Sequence, residues 1–299
     1  MQDLNKLMLW AALFIACPLV ASAELDYNGD PDQQAQSEMS QAFFIRTGTE
    51  IFNYQELEAG TQTSSEAESI TRITSFHFIQ GYQGVLFGIK GVTPYQTMPA
   101  VEKWDRANIS PFQTNDLKYS WFRLDAYIGQ IYGAGEGVQP GTWYTGLRYS
   151  MVKQRRSNFY DRNGLPTDSS QLTENIKSYQ FLLGYQAVAP IMFKAGDRGQ
   201  SSILDWDLEL EGSFPLYNRV TNTAYPGLTF KDKGGYGVEV KTGLNYHLGE
   251  TITVGADLFG GRIYWKGSDW KVISATEQYR WPENKTDYLG LQAGIAISF

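Results

Sequence analysis

The chain has 299 residues, a formal net charge of −7 and one cysteine, Cys17. Net acidity without a basic patch argues against a nucleic-acid partner, and one cysteine cannot form a disulfide or a zinc-thiolate site within the chain. Aromatic residues make up 14% of the sequence, whereas histidine occurs twice. Catalysis that depends on an imidazole base therefore has only two candidates.

The start of the chain is typical of a cleaved secretory signal. Lys6 precedes an apolar run over residues 7–20, and residues 21–23 (ASA) form a small-x-small cleavage site. The run is shorter than the roughly 20 residues of a transmembrane helix. We therefore predict a signal peptide over residues 1–23, and a lipoprotein-type site at Cys17 is the alternative.

The mature chain is predicted to begin with an aperiodic segment and to continue as strands. Residues 24–41 are acidic and Gln-rich, which predicts a flexible periplasmic lead-in. No apolar run of 18 or more residues follows residue 23, so a membrane crossing would have to use β-strands. Alternating segments separated by Gly, Pro, Asn, Asp and Ser predict ten strands, at residues 42–56, 69–79, 84–95, 117–132, 141–156, 177–195, 204–218, 234–248, 251–266 and 285–299.

The breaks between these strands alternate in length. Short turns at one end, longer charged loops at the other and an even number of strands are typical of bacterial outer-membrane barrels, whose termini are periplasmic. A secreted β-sandwich is the alternative, but it gives no reason for the alternation. The even count depends on the first short break. The short breaks are 80–83, 133–140, 196–203 and 249–250, and the long ones are 57–68, 96–116, 157–176, 219–233 and 267–284.

The strands also alternate in polarity. In residues 204–216, four consecutive odd positions are acidic and the even positions between them are apolar. A row of carboxylates cannot face hydrocarbon and must face water or a polar lumen. Residues 236–246, 252–258 and 288–299 repeat the alternation. We therefore predict an all-β fold, a transmembrane antiparallel up-and-down β-barrel over residues 42–299.

The last third of the chain resembles a known type of protein. The stretches LDWDLELEGSFPLYNRV, GGYGVEV and NKTDYLGLQAGIAISF, within residues 204–299, are similar to a poorly characterised family of proteobacterial outer-membrane β-barrel proteins. The resemblance implies a barrel in the outer membrane of a Gram-negative bacterium and no particular reaction. The terminal Phe299 also resembles the signal by which the outer-membrane barrel assembly machinery recognises its precursors.

The predicted register directs charged residues of both signs into the lumen. A ten-stranded barrel is narrow, so these side chains should pair with each other and fill it. Acidic residues exceed basic ones by eight to five, which favours as the alternative a narrow, cation-preferring channel for small solutes. The predicted lumen residues are Arg46, Glu50, Lys90, Arg123, Asp125, Arg148, Asp205, Asp207, Glu209, Glu211, Glu239, Lys241 and Asp257.

Enzymatic readings have weaker support in the sequence. His77 lies in an aromatic-rich strand and His247 at a predicted turn, and each is better explained as a satisfied structural histidine than as a base. The acidic row of residues 204–216 has a spacing that glycoside hydrolysis would permit, but any acidic strand face has it. No phosphate loop or calcium-loop spacing occurs, so we predict no cofactor and no metal. A barrel-embedded hydrolase is the second alternative.

The outer surface is predicted to contact lipid. The basic cluster of Lys153, Arg155 and Arg156 is a candidate contact for lipopolysaccharide phosphates. Aromatic residues near strand ends predict girdles at the two membrane interfaces. These are Tyr119, Trp121, Tyr127, Tyr132, Trp143, Tyr144, Tyr149, Tyr185, Tyr236, Tyr246, Tyr264 and Trp265.

The sequence thus predicts an integral outer-membrane barrel with long extracellular loops and a charge-paired lumen. Its expected role is structural or in surface interaction, with outer-membrane lipid, lipopolysaccharide and the assembly machinery as partners and a surface ligand that the sequence does not identify. We expect no enzymatic activity.

Overall fold

The structure is a computed structural model that describes residues 40–58, 63–82, 84–107, 109–132, 141–168, 170–193, 202–232, 234–273 and 278–299. The predicted signal peptide and nearly all of the lead-in lie outside the described residues. The first strand begins at Ser40, two residues earlier than predicted. Within these ranges, no helix has the length and hydrophobicity needed to cross a membrane.

The described chain is almost entirely β-strand. Its strands are β1 (Ser40–Glu58), β2 (Thr63–Tyr82), β3 (Val85–Thr97), β4 (Ala100–Arg106), β5 (Ile109–Tyr132), β6 (Gly141–Asp161), β7 (Pro166–Asp168), β8 (Leu172–Phe193), β9 (Ser202–Asn222), β10 (Thr229–Asp232), β11 (Gly235–His247), β12 (Ile252–Trp265), β13 (Lys271–Val272), β14 (Gln278–Tyr279) and β15 (Glu283–Ser298).

The long strands form a closed antiparallel ring. Around it the order is β1, β2, β3 with β4, β5, β6, β8, β9, β11, β12 and β15, and β15 pairs with β1 from Ala42 opposite Ser298 to Leu57 opposite Glu283. Because β3 and β4 share one place between β2 and β5, the described ring has ten positions. The predicted barrel and its strand number are confirmed.

The shared place is one strand interrupted by a proline. Met98 and Pro99 separate β3 from β4, and a proline has no N–H to donate to the neighbouring strand. The N–H of Met98 still bonds to the carbonyl of Ile70 at 3.1 Å, and the register of β2 shifts at Arg72/Ile73. Such a bulge realigns the pairing without opening the ring.

The predicted alternation of short turns and long loops is found only in part. The connections 59–62 and 107–108 at the loop end are short, and 133–140 and 194–201 at the turn end have eight residues each. At the turn end, two residues separate β2 from β3, four separate β11 from β12, and β1 starts beside the end of β15. Gly84 in the first of these turns has φ 77°, a backbone conformation that glycine adopts without strain. At the opposite loop end, residues 162–171 and 266–282 are among the longer connections.

The strands extend farther towards the loop end than predicted. Residues 57–68 and 96–116, expected to be loops, belong largely to β1, β2, β4 and β5. The connections are correspondingly shorter than the long loops of the prediction. Apolar residues on the outer face were the strand signal, and that signal stops where the strands leave the membrane.

An apolar band surrounds the outer face of the ring. On β15 it consists of Leu289, Leu291, Ile295 and Ile297, which are all exposed. Towards the loop end the band is bordered by Phe122, Tyr149, Tyr179 and Tyr217, whose ring centroids lie 6.3, 5.2 and 6.4 Å apart in that order. Towards the turn end, Trp143 and Tyr185 pack at 4.9 Å. Tyr149 and Trp143 are separated by about 20 Å along β6.

The loop half of the interior contains the main apolar core. Its side chains come from both the ring and the connection before β15, so they close the barrel from wall to wall. The buried residues are Phe52, Tyr54, Ala67, Ala100, Leu117, Tyr119, Val152, Ile176, Val220, Phe230, Trp265 and Trp281.

Candidate functional site

The thirteen predicted lumen residues all lie on the inner face of the barrel. Ten are buried, and Arg123, Asp205 and Lys241 are half-buried. Several contacts join strands that are not neighbours in the ring, such as Lys90 on β3 with Glu209 on β9. These side chains therefore meet across the lumen and fill it.

One group of charges is centred on Lys90 and Arg148. The Lys90 ammonium contacts Glu209 at 2.9 Å and also contacts Glu211. Arg148 binds Asp125 with two hydrogen bonds of 2.8 Å and contacts Glu211 as well. Because each carboxylate has charge-assisted donors, the cost of burying these ions is largely offset.

A tyrosine bridges the same carboxylates. Tyr144 donates to Glu209 at 2.6 Å, and its ring lies against the backbone of Gly184 on the neighbouring strand. A Cβ on Gly184 would clash with that ring. The glycine on β8 therefore allows Tyr144 to lie flat on the wall and reach the charge network.

A second group lies nearer the apolar core. Arg123 donates to both oxygens of Glu239, at 2.7 and 3.1 Å, and Tyr288 donates to Glu239 at 2.6 Å. Glu50 has no cation partner among the described residues and accepts a 3.0 Å hydrogen bond from Nε1 of Trp121. Glu50, Trp121, Arg123 and Glu239 line a cavity of about 50 Å³, which has room for a few water molecules.

A third group lies towards the turn end. Arg46 contacts Asp257 at 3.1 Å and donates to Asn245 at 3.1 Å, and Asn245 donates to Asp207 at 2.6 Å. Lys241 is paired with Glu209. The interior is thus an ion-paired network with few water-sized gaps.

Both histidines are bonded to neighbouring side chains. His77 is buried and its Nε2 contacts the hydroxyl of Tyr127. His247 contacts Asp205 through Nε2 at 2.7 Å and Thr253 through Nδ1 at 2.9 Å. In a Ser-His-Asp triad the carboxylate binds Nδ1 and the nucleophile faces Nε2, so these contacts are reversed. Thr253, moreover, is buried.

Arg156 corrects the prediction for the basic surface cluster. Arg156 points into the barrel and is 7% exposed. It donates to Glu102 at 2.7 Å and to Glu56 at 2.6 Å, so it cannot contact lipopolysaccharide. Side chains alternate along a strand, and Arg156 lies on the same face as the predicted lumen residue Arg148.

The acidic partners of Arg156 were missed by the sequence reasoning. Glu56 is the last residue of the first predicted strand but was not included among the predicted lumen residues, whereas Glu102 and Glu174 lay in segments predicted to be loops. Glu174 accepts a 3.0 Å hydrogen bond from Nε1 of Trp281, which reaches into the barrel from the connection before β15. The alternation of the first predicted strand already places Glu56 on the same face as Arg46 and Glu50.

Five predicted girdle aromatics are also inside the barrel. They bond to or pack against interior groups, because their positions share the inward parity of the charged residues. Trp143, Tyr149, Tyr185, Tyr236, Tyr246 and Tyr264 are on the outer face, and the side chain of Tyr132 lies outside the described residues. The five inward residues are Tyr119, Trp121, Tyr127, Tyr144 and Trp265.

A basic belt lies on the outer face just beyond the aromatic border. We use this name for Lys118, Lys153, Arg155, Lys177 and Arg219, on the adjacent strands β5, β6, β8 and β9. Lys118 is directly opposite Arg155, and Lys177 is directly opposite Arg219. Within the described ranges none of the five forms an ion pair. Like charges opposite one another destabilise a sheet unless an anion compensates them.

The architecture defines the class of the protein. A closed antiparallel ring of even strand number, apolar on its outer face and polar within, is a bacterial outer-membrane β-barrel, and the predicted outer-membrane location goes with that class. Phe299, predicted to be an assembly signal, is exposed and pairs with Gln41 through two backbone hydrogen bonds; its role stays a prediction.

Comparison with known proteins supports the same class. The sequence matches no family model and no curated protein. The outer membrane protease OmpT from Escherichia coli has a similar structure, with a TM-score of 0.61, 8% identity and coverage of 87% of this chain and 96% of OmpT. At that identity the similarity is one of fold, and it supports the resemblance of residues 204–299 to outer-membrane barrels at that level only.

Two further structures are more distant. The β domain of the Bordetella autotransporter BrkA has a TM-score of 0.38 at 13% identity and covers 87% of this chain and 100% of its own. The outer membrane protein OprG from Pseudomonas aeruginosa has a TM-score of 0.32 at 12% identity, with 88% and 98% covered. Similarities of this size carry no argument about this chain.

Proposed function

We propose that the protein is a closed outer-membrane barrel that acts at the cell surface by binding the phosphates of lipopolysaccharide. The observation that carries the proposal is the basic belt. Its two like-charged pairs, Lys118 with Arg155 and Lys177 with Arg219, lie opposite each other on adjacent strands. They require an anionic partner for compensation.

The height of the belt on the barrel indicates which anion. Aromatic girdles lie at the level of the lipid headgroups, and the belt begins next to the chain of rings formed by Phe122, Tyr149, Tyr179 and Tyr217. At the loop end this is the depth of the lipid A phosphates in the outer leaflet. Arginine binds phosphate through two parallel hydrogen bonds and lysine binds it as a point charge.

The test compares two double variants with the same change of charge. Lys153→Gln with Arg155→Gln removes two members of the belt. Arg262→Gln with Lys285→Gln removes two outward cations that already pair with Asp287. Binding of purified lipid A to the barrel in detergent should weaken at least about tenfold in the first variant and change little in the second.

Dephosphorylated lipid A identifies the chemistry. Dephosphorylated lipid A should bind the unmodified protein weakly. Its affinity should be as low as that of intact lipid A for the variant with Lys153→Gln and Arg155→Gln. Equal binding of lipid A by the belt variant and the unmodified protein would refute the proposal.

The two alternatives have less support. A channel would need a continuous path, whereas the charge network and the apolar core fill the interior between them. A hydrolase built on His247 would use Asp205 and Thr253, whose contacts are reversed relative to a triad. We expect the purified protein to hydrolyse neither peptides nor lipids. Hydrolysis by the unmodified protein that is lost in His247→Ala or His77→Ala would favour the hydrolase.

A further inference from the structure

Gly243 lies between two aspartates on the inner wall near the turn end. It is directly opposite Asp207 on β9 and directly opposite Asp257 on β12. Residues opposite one another on adjacent strands point to the same face. With no side chain between them, both carboxyl groups can lean over the glycine.

Each carboxyl group has one oxygen that is held and one that is not. Oδ2 of Asp257 accepts from Gln292 at 2.9 Å and contacts Arg46 at 3.1 Å, and Oδ2 of Asp207 accepts from Asn245 at 2.6 Å. Oδ1 of each is buried without a hydrogen-bond partner among the described residues. The Asp257 side chain is 0% exposed and Asp207 is 7% exposed.

The two free oxygens converge on one point. A methyl group at Gly243 would clash with Oδ1 of Asp257 and would lie 2.9 Å from Oδ1 of Asp207. One position above the glycine is therefore within 2.9 Å of both oxygens. Calcium binds carboxylate oxygens at about 2.3–2.6 Å, so a small shift of either side chain would complete the distances.

The charge balance of the interior also calls for a cation. Of the thirteen predicted lumen residues, eight are acidic and five are basic, so the carboxyl groups of this set outnumber its cations by three. Glu56, Glu102 and Glu174, which are also inside, outnumber Arg156 in the same way. Among the thirteen, Glu50, Asp205 and Asp207 are the members without a Lys or Arg partner in the described part of the chain. Burying unpaired carboxylates side by side is costly.

We propose that Asp207 and Asp257 bind a calcium ion above Gly243. Asn245 orients one carboxylate and Arg46 the other, and water supplies the remaining ligands. The ion reaches the site from the turn end, where Asp205 and His247 retain side-chain exposures of 16% and 30%. The described residues contain no group of three or more Asp, Glu, His or Cys suited to a metal, so two carboxylates should bind weakly, at about 0.1–1 mM.

The experiment is calcium titration of the purified full-length protein in lipopolysaccharide-free detergent by calorimetry. Asp207→Asn keeps the shape of the side chain and its contact with Asn245 but removes one charged ligand. We expect its affinity for Ca²⁺ to fall at least about tenfold. Gly243→Ala, which fills the position of the ion, should abolish binding.

Asp205→Asn is the matched control, because it removes a carboxylate from the same end without touching the site. Its affinity should stay within about twofold. Folding of each variant is checked by the slower migration of boiled samples in SDS gels. If the unmodified protein binds no Ca²⁺ up to about 10 mM, or if Asp207→Asn binds it as well as the unmodified protein does, the proposal is wrong.

Discussion

Arg148 shows how much of the interior depends on single side chains. It holds both oxygens of Asp125 at 2.8 Å and also contacts Glu211, and all three side chains are nearly inaccessible to solvent. A buried ion pair adds little net stability over a well-packed apolar pair. Removing one partner is costly, however, because the other charge is left unpaired.

The first prediction follows from this arrangement. Arg148→Met should destabilise the barrel by about 3–5 kcal/mol, since it leaves Asp125 and Glu211 without their principal donor. The measurement is the urea midpoint of unfolding in lipid vesicles. Arg262→Met is the control: Arg262 and Asp287 form an ion pair on the outer face, 46% and 36% exposed, and its loss should change the midpoint little. Equal midpoints for the two variants would contradict the prediction.

At the residue scale, the alternation of side chains along each strand correctly assigned charged residues to the inner or the outer face wherever it was applied. Arg155 and Arg156 were grouped because they are neighbours in the chain, yet adjacent strand residues face opposite sides. Arg155 belongs to the basic belt and Arg156 to an interior ion pair with Glu56 and Glu102. Arg148 and Arg156 are both at even positions of the same strand, so alternation alone places Arg156 on the inner face with Arg148.

At the element scale, the hydrophobic pattern predicted the membrane-spanning part of each strand and missed its extension. Beyond the apolar band the outer face is polar, as at Lys153 on β6 and Lys177 on β8, so alternation in hydrophobicity disappears although the backbone pairing continues. Pairing across strands is a tertiary property, and no local signal in residues 57–68 reports it.

Glycines opposite aromatic rings are an element-scale device of this barrel. Tyr144 on β6 covers Gly184 on β8, and Tyr127 on β5 covers Gly88 on β3 in the same way. The rings lie on the inner wall where a side chain on the neighbouring strand would otherwise stand. Tyr144 thereby reaches Glu209, so the packing of two strands determines a hydrogen bond to a third.

The second prediction tests this device. Gly184→Ala should destabilise the barrel by about 1–3 kcal/mol, because the added methyl displaces the Tyr144 ring and weakens its bond to Glu209. Gly249→Ala is the control, since a Cβ at Gly249 would meet no atom within 4 Å. Thermal transitions followed by SDS-gel migration should separate the two variants. A Gly184→Ala protein as stable as the control would show that the ring contact is dispensable.

At the scale of the whole molecule, the barrel is closed by two different fillings. The larger charge network occupies the turn half. The apolar core occupies the loop half together with the ion pairs of Arg156, and Trp281 is inserted there from a connection. An apolar layer excludes ions even where the charged layer would admit them. Both the charge network and the apolar core would have to rearrange before ions could pass through the barrel.

The third prediction is that the protein forms no channel. After faster migration of unboiled samples confirms a folded barrel, insertion into planar bilayers should give no discrete conductance steps. The Asp207→Asn plus Glu209→Gln variant should be equally silent. Steps in the unmodified protein whose cation preference disappears in that variant would support the channel alternative.

The sequence by itself determined the barrel, its ten strands and the inward face of thirteen charged residues. A period of two and the spacing of turn residues are local properties that a single chain displays. Only the tertiary structure decided which charges pair, that Arg156 meets Glu56 across the lumen, and that an apolar layer closes it. These depend on which strands face one another after the ring closes, and ring closure joins residues that are far apart in the chain.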